Sequence, residues 1–257
     1  MIDYTKKELI IFDKDGTITP SKSPLEKDIA DLIVQLLAKK KVAIISGGSF
    51  PLFETQLLNK LPANGDHELT NLFLLPTSGT RLYTWRGSWH EQYAEDISVA
   101  DKKNIMEKLN MALTATGYTK PQKIYGDLME DRGSQITFSA LGQNAPLEPK
   151  QAWDPTRAKR EAIADFLKDK LPRFDVRIGG STSIDITMKG VNKAYGIRKL
   201  EDFLHMPLDK MLFIGDTLFH GGNDYPAKST GIDCIAVTGP QDAGKIIQDI
   251  VLSTPSK

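Results

Sequence analysis

The sequence predicts an α/β protein built on a parallel sheet, with a separate α+β unit inserted into it. Three observations carry that expectation. Short apolar runs recur at 9–12, 42–45, 72–75, 211–214 and 234–237, each ended by a polar or glycine-containing turn. Segments with helical spacing alternate with them, which is the pattern of strands joined by crossover helices. Between about residues 86 and 189 the pattern changes to strands of period two and charged amphipathic helices.

Leu9 to Phe12 is apolar at every position, as a strand covered on both faces requires, and Asp13-Lys14-Asp15-Gly16-Thr17 ends it. From Leu25 to Lys40, Ile29, Leu32, Ile33, Leu36 and Leu37 fall on one helical face. Val42 to Ile45 is a second buried strand, closed by Ser46-Gly47-Gly48-Ser49. Pro51 suits the first turn of a helix, which Phe53, Leu57 and Leu58 continue, and Leu72 to Leu75 is a third strand. The last quarter repeats the grammar: a helix over Tyr195 to Phe203, a strand over Met211 to Ile214, a strand over Asp233 to Val237, and a helix from about Asp242 to Leu252. In the middle, Asp101 to Leu113 and Arg157 to Lys170 read as amphipathic helices. Ser134 to Phe138 and Ser183 to Met188 alternate as half-exposed strands do. The expected division is a first domain of residues 1–85 and 190–257 and an inserted unit of 86–189, with flexible links at Tyr83–Gly87 and Met188–Asn192.

Composition narrows the class. Lys+Arg and Asp+Glu are both 33 of 257 residues, so nothing in the net charge favours a nucleic-acid partner. The longest apolar runs are far too short to span a bilayer, and Met1 to Glu8 lacks the apolar segment of a signal peptide. Cys234 is the single cysteine, which rules out a disulfide framework and fits a reducing cytosol. A cytoplasmic protein with no membrane partner is expected.

The chemistry concentrates where parallel strands end, the side of such a sheet that forms ligand crevices. Asp13 and Asp15 follow the first strand, Ser46 the second, and Asp216 the strand at 211–214. Lys193 precedes the helix before that strand, and Asp224 lies in the loop after it. Carboxylates gathered in this way repel unless a cation neutralises them. An oxygen-only set without Cys or His points to Mg²⁺. A carboxylate so placed can also act as a nucleophile towards phosphorus, provided positive groups screen the approach of two anions.

These motifs, in this order, resemble the haloacid dehalogenase-like (HAD) superfamily. The likeness rests on Ile10-Ile11-Phe12-Asp13-Lys14-Asp15-Gly16-Thr17, on Ser46-Gly47-Gly48, on Gly190-Val191-Asn192-Lys193, and on Gly215-Asp216 with Gly222-Asn223-Asp224. It implies a Rossmann-like core carrying an inserted α+β cap that sets substrate specificity, as in the type IIB members that act on sugar phosphates. Within them the chain is most similar to eukaryotic-type phosphomannomutases, through Asp15-Gly16-Thr17-Ile18-Thr19, Gly47-Gly48-Ser49, Ile178-Gly179-Gly180 with Ser183 and Asp185, and Gly221-Gly222-Asn223-Asp224. The resemblance implies that Asp13 is the nucleophile and Asp15 the acid and base. Ser46 would bind a phosphoryl oxygen, beside Gly47 and Gly48, and Lys193 would pair with Asp13 and the phosphate. Asp13, Asp15 through its carbonyl, Asp216 and Asp224 would form the Mg²⁺ site. Arg132, Gln143, Ser183 and Asp185 of the cap would face the sugar or its second phosphate. A homodimer joined through the cap is the expected assembly.

The resemblance leaves two reactions open. A mutase must grip the non-reacting phosphate, and in the family cap arginines do so; Arg132 matches one, but Gln143 stands where a second is expected. On that ground the preferred reading is a sugar-phosphate phosphatase, with phosphomannomutase the alternative. Bland readings exist for each residue: Asp-Gly is also a turn signal, Arg132 could pair with Glu130 or Asp131, and Trp85, Trp89 and Trp153 read as packing residues. His67, His90, His205 and His220 show no metal spacing, and Lys14 receives no role because neighbours in an extended chain point oppositely.

Overall fold

The computed structural model describes residues 2–21, 23–61 and 68–255; Met1 and His67, named above, lie outside them. The described chain forms two compact units, Met1–Ala94 with Val191–Lys257, and Glu95–Gly190.

In chain order the first unit contains β1 (Leu9–Asp13), α1 (Lys27–Leu37), β2 (Lys41–Ile45), α2 (Phe50–Gln56), β3 (Leu72–Leu75), β4 (Arg81–Trp85) and β5 (Trp89–Ala94). The second holds α3 (Val99–Ala115), β6 (Met129–Asp131), β7 (Gln135–Ser139), α4 (Leu147–Trp153), α5 (Ala158–Lys170), β8 (Phe174–Gly179) and β9 (Ser183–Met188). The chain then completes the first unit with α6 (Lys193–Leu204), β10 (Met211–Gly215), α7 (Tyr225–Lys228), β11 (Asp233–Ala236) and α8 (Pro240–Ser253).

The first unit is a seven-stranded sheet of order β11-β10-β1-β2-β3-β4-β5. The strands from β11 to β3 are parallel, whereas β4 and β5 run antiparallel at one edge. The apolar runs of the sequence are explained by the two cores they serve. Ile10, Phe12, Val42, Ile44, Leu72, Leu74, Leu212 and Ile214 pack on one face with α1 and α8. Their neighbours Leu9, Ile11, Ala43, Ile45, Phe73, Leu75, Met211 and Phe213 pack on the other with α6. A strand buried on both faces has no room for a polar residue inside it, so polar side chains appear at strand ends, Asp13 at the carboxyl end of β1 among them.

One expectation is corrected here. Tyr83–Gly87 is not a link between units: it belongs to the β4–β5 hairpin, where Trp85 pairs with Trp89 across the turn. The units therefore divide at 94/95 and 190/191 rather than at 85/86 and 189/190. The expected parallel sheet is present from β11 to β3, and the β4–β5 hairpin extends it antiparallel at one edge, since a hairpin needs no crossover helix.

The second unit is an antiparallel sheet of order β6-β7-β9-β8. Ile136, Phe138, Ile184, Ile186, Phe174 and Val176 pack on one face against α3 and α5. β7 was expected to be half-exposed, but all five of its residues are buried. Its alternation is genuine; the polar face is buried too, because Gln135 and Thr137 bond to Asp185 of β9.

α6 is capped by Asn192, whose side chain accepts the Tyr195 N–H, and it approaches the turn at 77–79 through two glycines. A Cβ at Gly79 would lie 2.5 Å from Gly196 Cα, and one at Gly196 would overlap the Ile45 side chain and lie 3.0 Å from the Ser78 carbonyl. Gly196→Ala is therefore expected to push α6 off the sheet and destabilise the fold by about 1–3 kcal/mol, the usual cost of overpacking, read as a lowered denaturation midpoint at unchanged slope.

Candidate active site

β1 lies between β10 and β2, so the chain order reverses at its carboxyl end, the position where open parallel sheets bind ligands. Adjacent strands are about 4.8 Å apart, which by itself brings Asp13, Ser46 and Asp216 together. Asp13 ends β1, and its Oδ1 accepts from Lys193 Nζ, which also donates to the Ile45 carbonyl at 2.9 Å. Lys193 Nζ is 3.6 Å from Asp224 Oδ1. Both partners of the Lys193–Asp13 pair are buried.

Asp13, Asp216 and Asp224 each offer an oxygen within 4.8 Å of the others. Asp224 is wholly buried, and its Oδ2 accepts from Thr217 N at 3.1 Å and Thr217 Oγ1 at 3.0 Å. Asp13 Oδ2 and Asp224 Oδ1 are buried without a hydrogen-bond partner among the described residues. Such orphaned acceptors are costly unless something unseen satisfies them. Three carboxylates facing one ammonium leave two negative charges uncompensated, the charge of one divalent cation. The donor set is all oxygen, so the residues fit Mg²⁺.

The electrostatics follow from burial. Loss of water pushes the Asp13 carboxyl up to about 7; Lys193 opposes the rise, while Asp224 and Asp15 add to it. Burial pulls the Lys193 ammonium down, but the charges of Asp13 and Asp224 outweigh it and hold it above the ordinary lysine value. Asp216 is raised by desolvation and by Asp224.

Asp15 stands apart from the acidic cluster. Its carboxylate accepts from Ser46 Oγ at 3.2 Å and from Lys14 Nζ at 2.9 Å. Ser46 Oγ in turn accepts the Gly48 N–H at 3.1 Å. Gly47 has open space where a side chain would point. Gly16 must be glycine on two counts: its φ is +89°, and a Cβ would lie 2.5 Å from Asp216 Oδ2. Gly215 is similarly closed by Asp224 Oδ2 at 2.5 Å.

In the second unit the expected residues are grouped only in part. Ser183 and Asp185 share one face of β9. Asp185 Oδ1 accepts from Gln135 Nε2 at 2.9 Å and Thr137 Oγ1 at 2.8 Å, and the Ser183 and Ser139 hydroxyls are 3.4 Å apart. Arg132 sits at the β6–β7 turn and pairs with Glu130 at 2.7 Å. Gln143 lies beyond the other end of β6, its N–H donating to the Asp127 carbonyl. Its own carbonyl accepts from Lys150 Nζ at 2.9 Å, and its Oε1 is buried without a partner among the described residues.

Three contributors were missed by the sequence reading. Thr17 donates to Asp216 Oδ1 at 3.3 Å, Thr217 holds Asp224, and the buried Lys14 holds Asp15. The threonines flank aspartates in polar loops, a signal for carboxylate support; for Lys14 the extended-chain rule pointed the wrong way. His220 packs against Tyr225. Trp153 packs with Tyr118 beside the second unit's core.

Residues 29–253 match the family model for eukaryotic phosphomannomutase. The chain is 24% identical to a probable phosphomannomutase of Caenorhabditis elegans, over 96% of each chain. Among solved structures, a haloacid dehalogenase-like hydrolase from Bacteroides thetaiotaomicron matches with a TM-score of 0.63 at 14% identity, covering 95% of this chain and 99% of that one. An N-terminally truncated IMP-nucleotidase of Plasmodium falciparum matches with a TM-score of 0.69 at 19% identity, covering 95% and 70%. The expected α/β core with its inserted α+β cap is thus a HAD-like fold.

The raised Asp13 carboxyl gives the metal-free protein a pH-dependent stability. Its folded value, about 7, lies above that of an ordinary aspartate, about 3.9. The folded state therefore holds a proton that the unfolded chain releases, and stability falls as pH rises through that window. In chelator, thermal midpoints are expected to decline from pH 5 to pH 8, and Asp13→Asn is expected to flatten the decline. Added Mg²⁺ is expected to raise the midpoint more at pH 8 than at pH 5, since protons and the cation compete for the same oxygens. Equal slopes for the two proteins would contradict the assignment.

Proposed function

Because the chain belongs to the eukaryotic phosphomannomutase family, we propose that it is a Mg²⁺-dependent phosphohexomutase that works through a phosphorylated Asp13. The observation that carries the reading is the pairing of Asp13 with Lys193 beside two further carboxylates and an orphaned Asp13 oxygen.

In the first half-reaction an Asp13 oxygen attacks phosphorus, a new P–O bond forms, and the bond from phosphorus to the sugar oxygen breaks. Asp15 gives its proton to the departing alkoxide. Lys193 fixes the nucleophile and offsets negative charge as it meets the phosphoryl group, and Ser46 offers a hydroxyl to a phosphoryl oxygen. In the second half-reaction Asp15 removes the proton from an incoming hydroxyl, that oxygen attacks phosphorus, and the bond to Asp13 breaks. Bound at Asp13, Asp216 and Asp224, Mg²⁺ would supply positive charge to stabilise the phosphoryl group in transfer. Recognition of the sugar and its second phosphate is assigned to the cap residues Arg132, Gln143, Ser183 and Asp185. One cysteine and no helix among the described residues long and apolar enough to cross a membrane support a cytoplasmic setting.

The acceptor distinguishes the two reactions. In a mutase it is another hydroxyl of a hexose phosphate; in a phosphatase it is water. Family membership favours the mutase. Gln143 favours the phosphatase, since an amide cannot form the charge-assisted bonds of an arginine.

Phosphorus NMR on mannose 1-phosphate and glucose 1-phosphate, with and without a hexose bisphosphate, tests this directly. Interconversion with the 6-phosphates is expected to outrun phosphate release and to depend on the bisphosphate. Phosphate release without isomer would transfer the assignment to the phosphatase. Asp13→Asn is expected to lower either activity by about 10³-fold or more, as loss of a nucleophile does; full retention would remove both readings.

A further inference from the structure

Lys14 is one of the largest wholly buried side chains in the protein, with 1% of its surface exposed. Its ammonium donates to Asp15 Oδ1 at 2.9 Å and to Gln56 Oε1 at 2.7 Å. Gln56 is the last residue of α2, and its carbonyl accepts the Leu25 N–H at 2.7 Å. The chain folds Lys14 back because it curls after β1: the N–H groups of Ile18 and Thr19 both donate to the Lys14 carbonyl at 3.1 Å, and Thr19 Oγ1 does so at 3.2 Å.

Removing an ammonium from water costs several kcal/mol. A methionine of similar volume would fill the same space without that cost, so packing alone does not explain a lysine here. Its carboxylate partner is also not an idle surface group. Asp15 stands outside the acidic cluster, held by Lys14 through Oδ1 and by Ser46 through Oδ2. Lys193 pairs with Asp13 on one side of the site; Lys14 pairs with Asp15 on the other.

We propose that Lys14, braced by Gln56, is a positioning residue that holds the Asp15 carboxylate for proton transfer, with Oδ2, on the Ser46 side, carrying the proton. This rests on the proposed function, in which Asp15 is acid and base. An ammonium always donates, so it occupies Oδ1 throughout the cycle. The Ser46 hydroxyl donates to Oδ2 when that oxygen is bare and, having a single proton, turns it to the phosphoryl oxygen when Oδ2 is itself protonated.

A double-mutant cycle on a hexose phosphate tests the proposal. Misplacement of a general acid by a fraction of its reach costs about 10- to 100-fold, so Lys14→Met is expected to lower kcat by that amount with little change in KM. Lys14→Arg is expected to recover part of the loss. In an Asp15→Asn background the same Lys14→Met change is expected to alter kcat by less than about twofold, because there is no longer a proton carrier to position. A Lys14→Met loss that persists at full size beside Asp15→Asn, or no loss in the parent, would overturn the proposal. Should Lys14→Met fail to fold, Gln56→Leu takes its place in the cycle, with a smaller loss expected in the parent and none beside Asp15→Asn. A parent protein inert on every hexose phosphate would instead overturn the proposed function.

Discussion

Charge compensation at the carboxyl end of β1 governs the rest of this structure. Asp13, Asp216 and Asp224 converge there, and among the described residues Lys193 is the ammonium paired with Asp13 and close to Asp224. Such a cluster is unstable in a low-dielectric interior unless cations match it. The fold answers with geometry rather than bulk: Lys193 at the start of α6 reaches the Ile45 carbonyl and Asp13 because two glycines let α6 approach closely. The remaining negative charge, on an all-oxygen donor set, is what fits the site to a divalent cation.

The sheet supplies precision by denying alternatives. Every interior position of β1, β2, β3 and β10 is committed to one of two apolar cores, so polar side chains emerge only at strand ends. There Gly16 and Gly215 leave no room for a side chain between the backbone and the carboxylates of Asp216 and Asp224. The second unit uses a different device. Its sheet keeps one face for packing and lines the other with a closed set of polar contacts around Asp185.

Much of this could be read in the residues. Asp13, Ser46 and Asp216 were legible because an apolar run that stops abruptly marks a strand end, and strand ends of a parallel sheet share one side. Lys193 and Asp224 were singled out by their places around the strand at 211–214, and the resemblance supplied their roles. Lys14 was not legible, because the rule of alternating directions holds for an extended chain and the chain curls from Lys14 onward. The β4–β5 hairpin was obscured by Trp85-Arg86-Gly87-Ser88-Trp89, whose turn residues read as a link. The buried polar face of β7 was hidden for a related reason: alternation identifies two faces but does not say that both are covered.

The order of the strands has a consequence for synthesis on the ribosome. β1 is made early, yet one of its two neighbours, β10, pairs Met211 with Leu9, and the ammonium that answers Asp13 lies 180 residues further along. All partners of the strands in the second unit, by contrast, lie within residues 129–188. A nascent chain can therefore complete the inserted sheet while the acidic end of β1 still waits for its counter-charge, and non-local pairings of this kind form slowly. β1 thus leaves the exit tunnel before the inserted sheet, yet reaches its final environment after it.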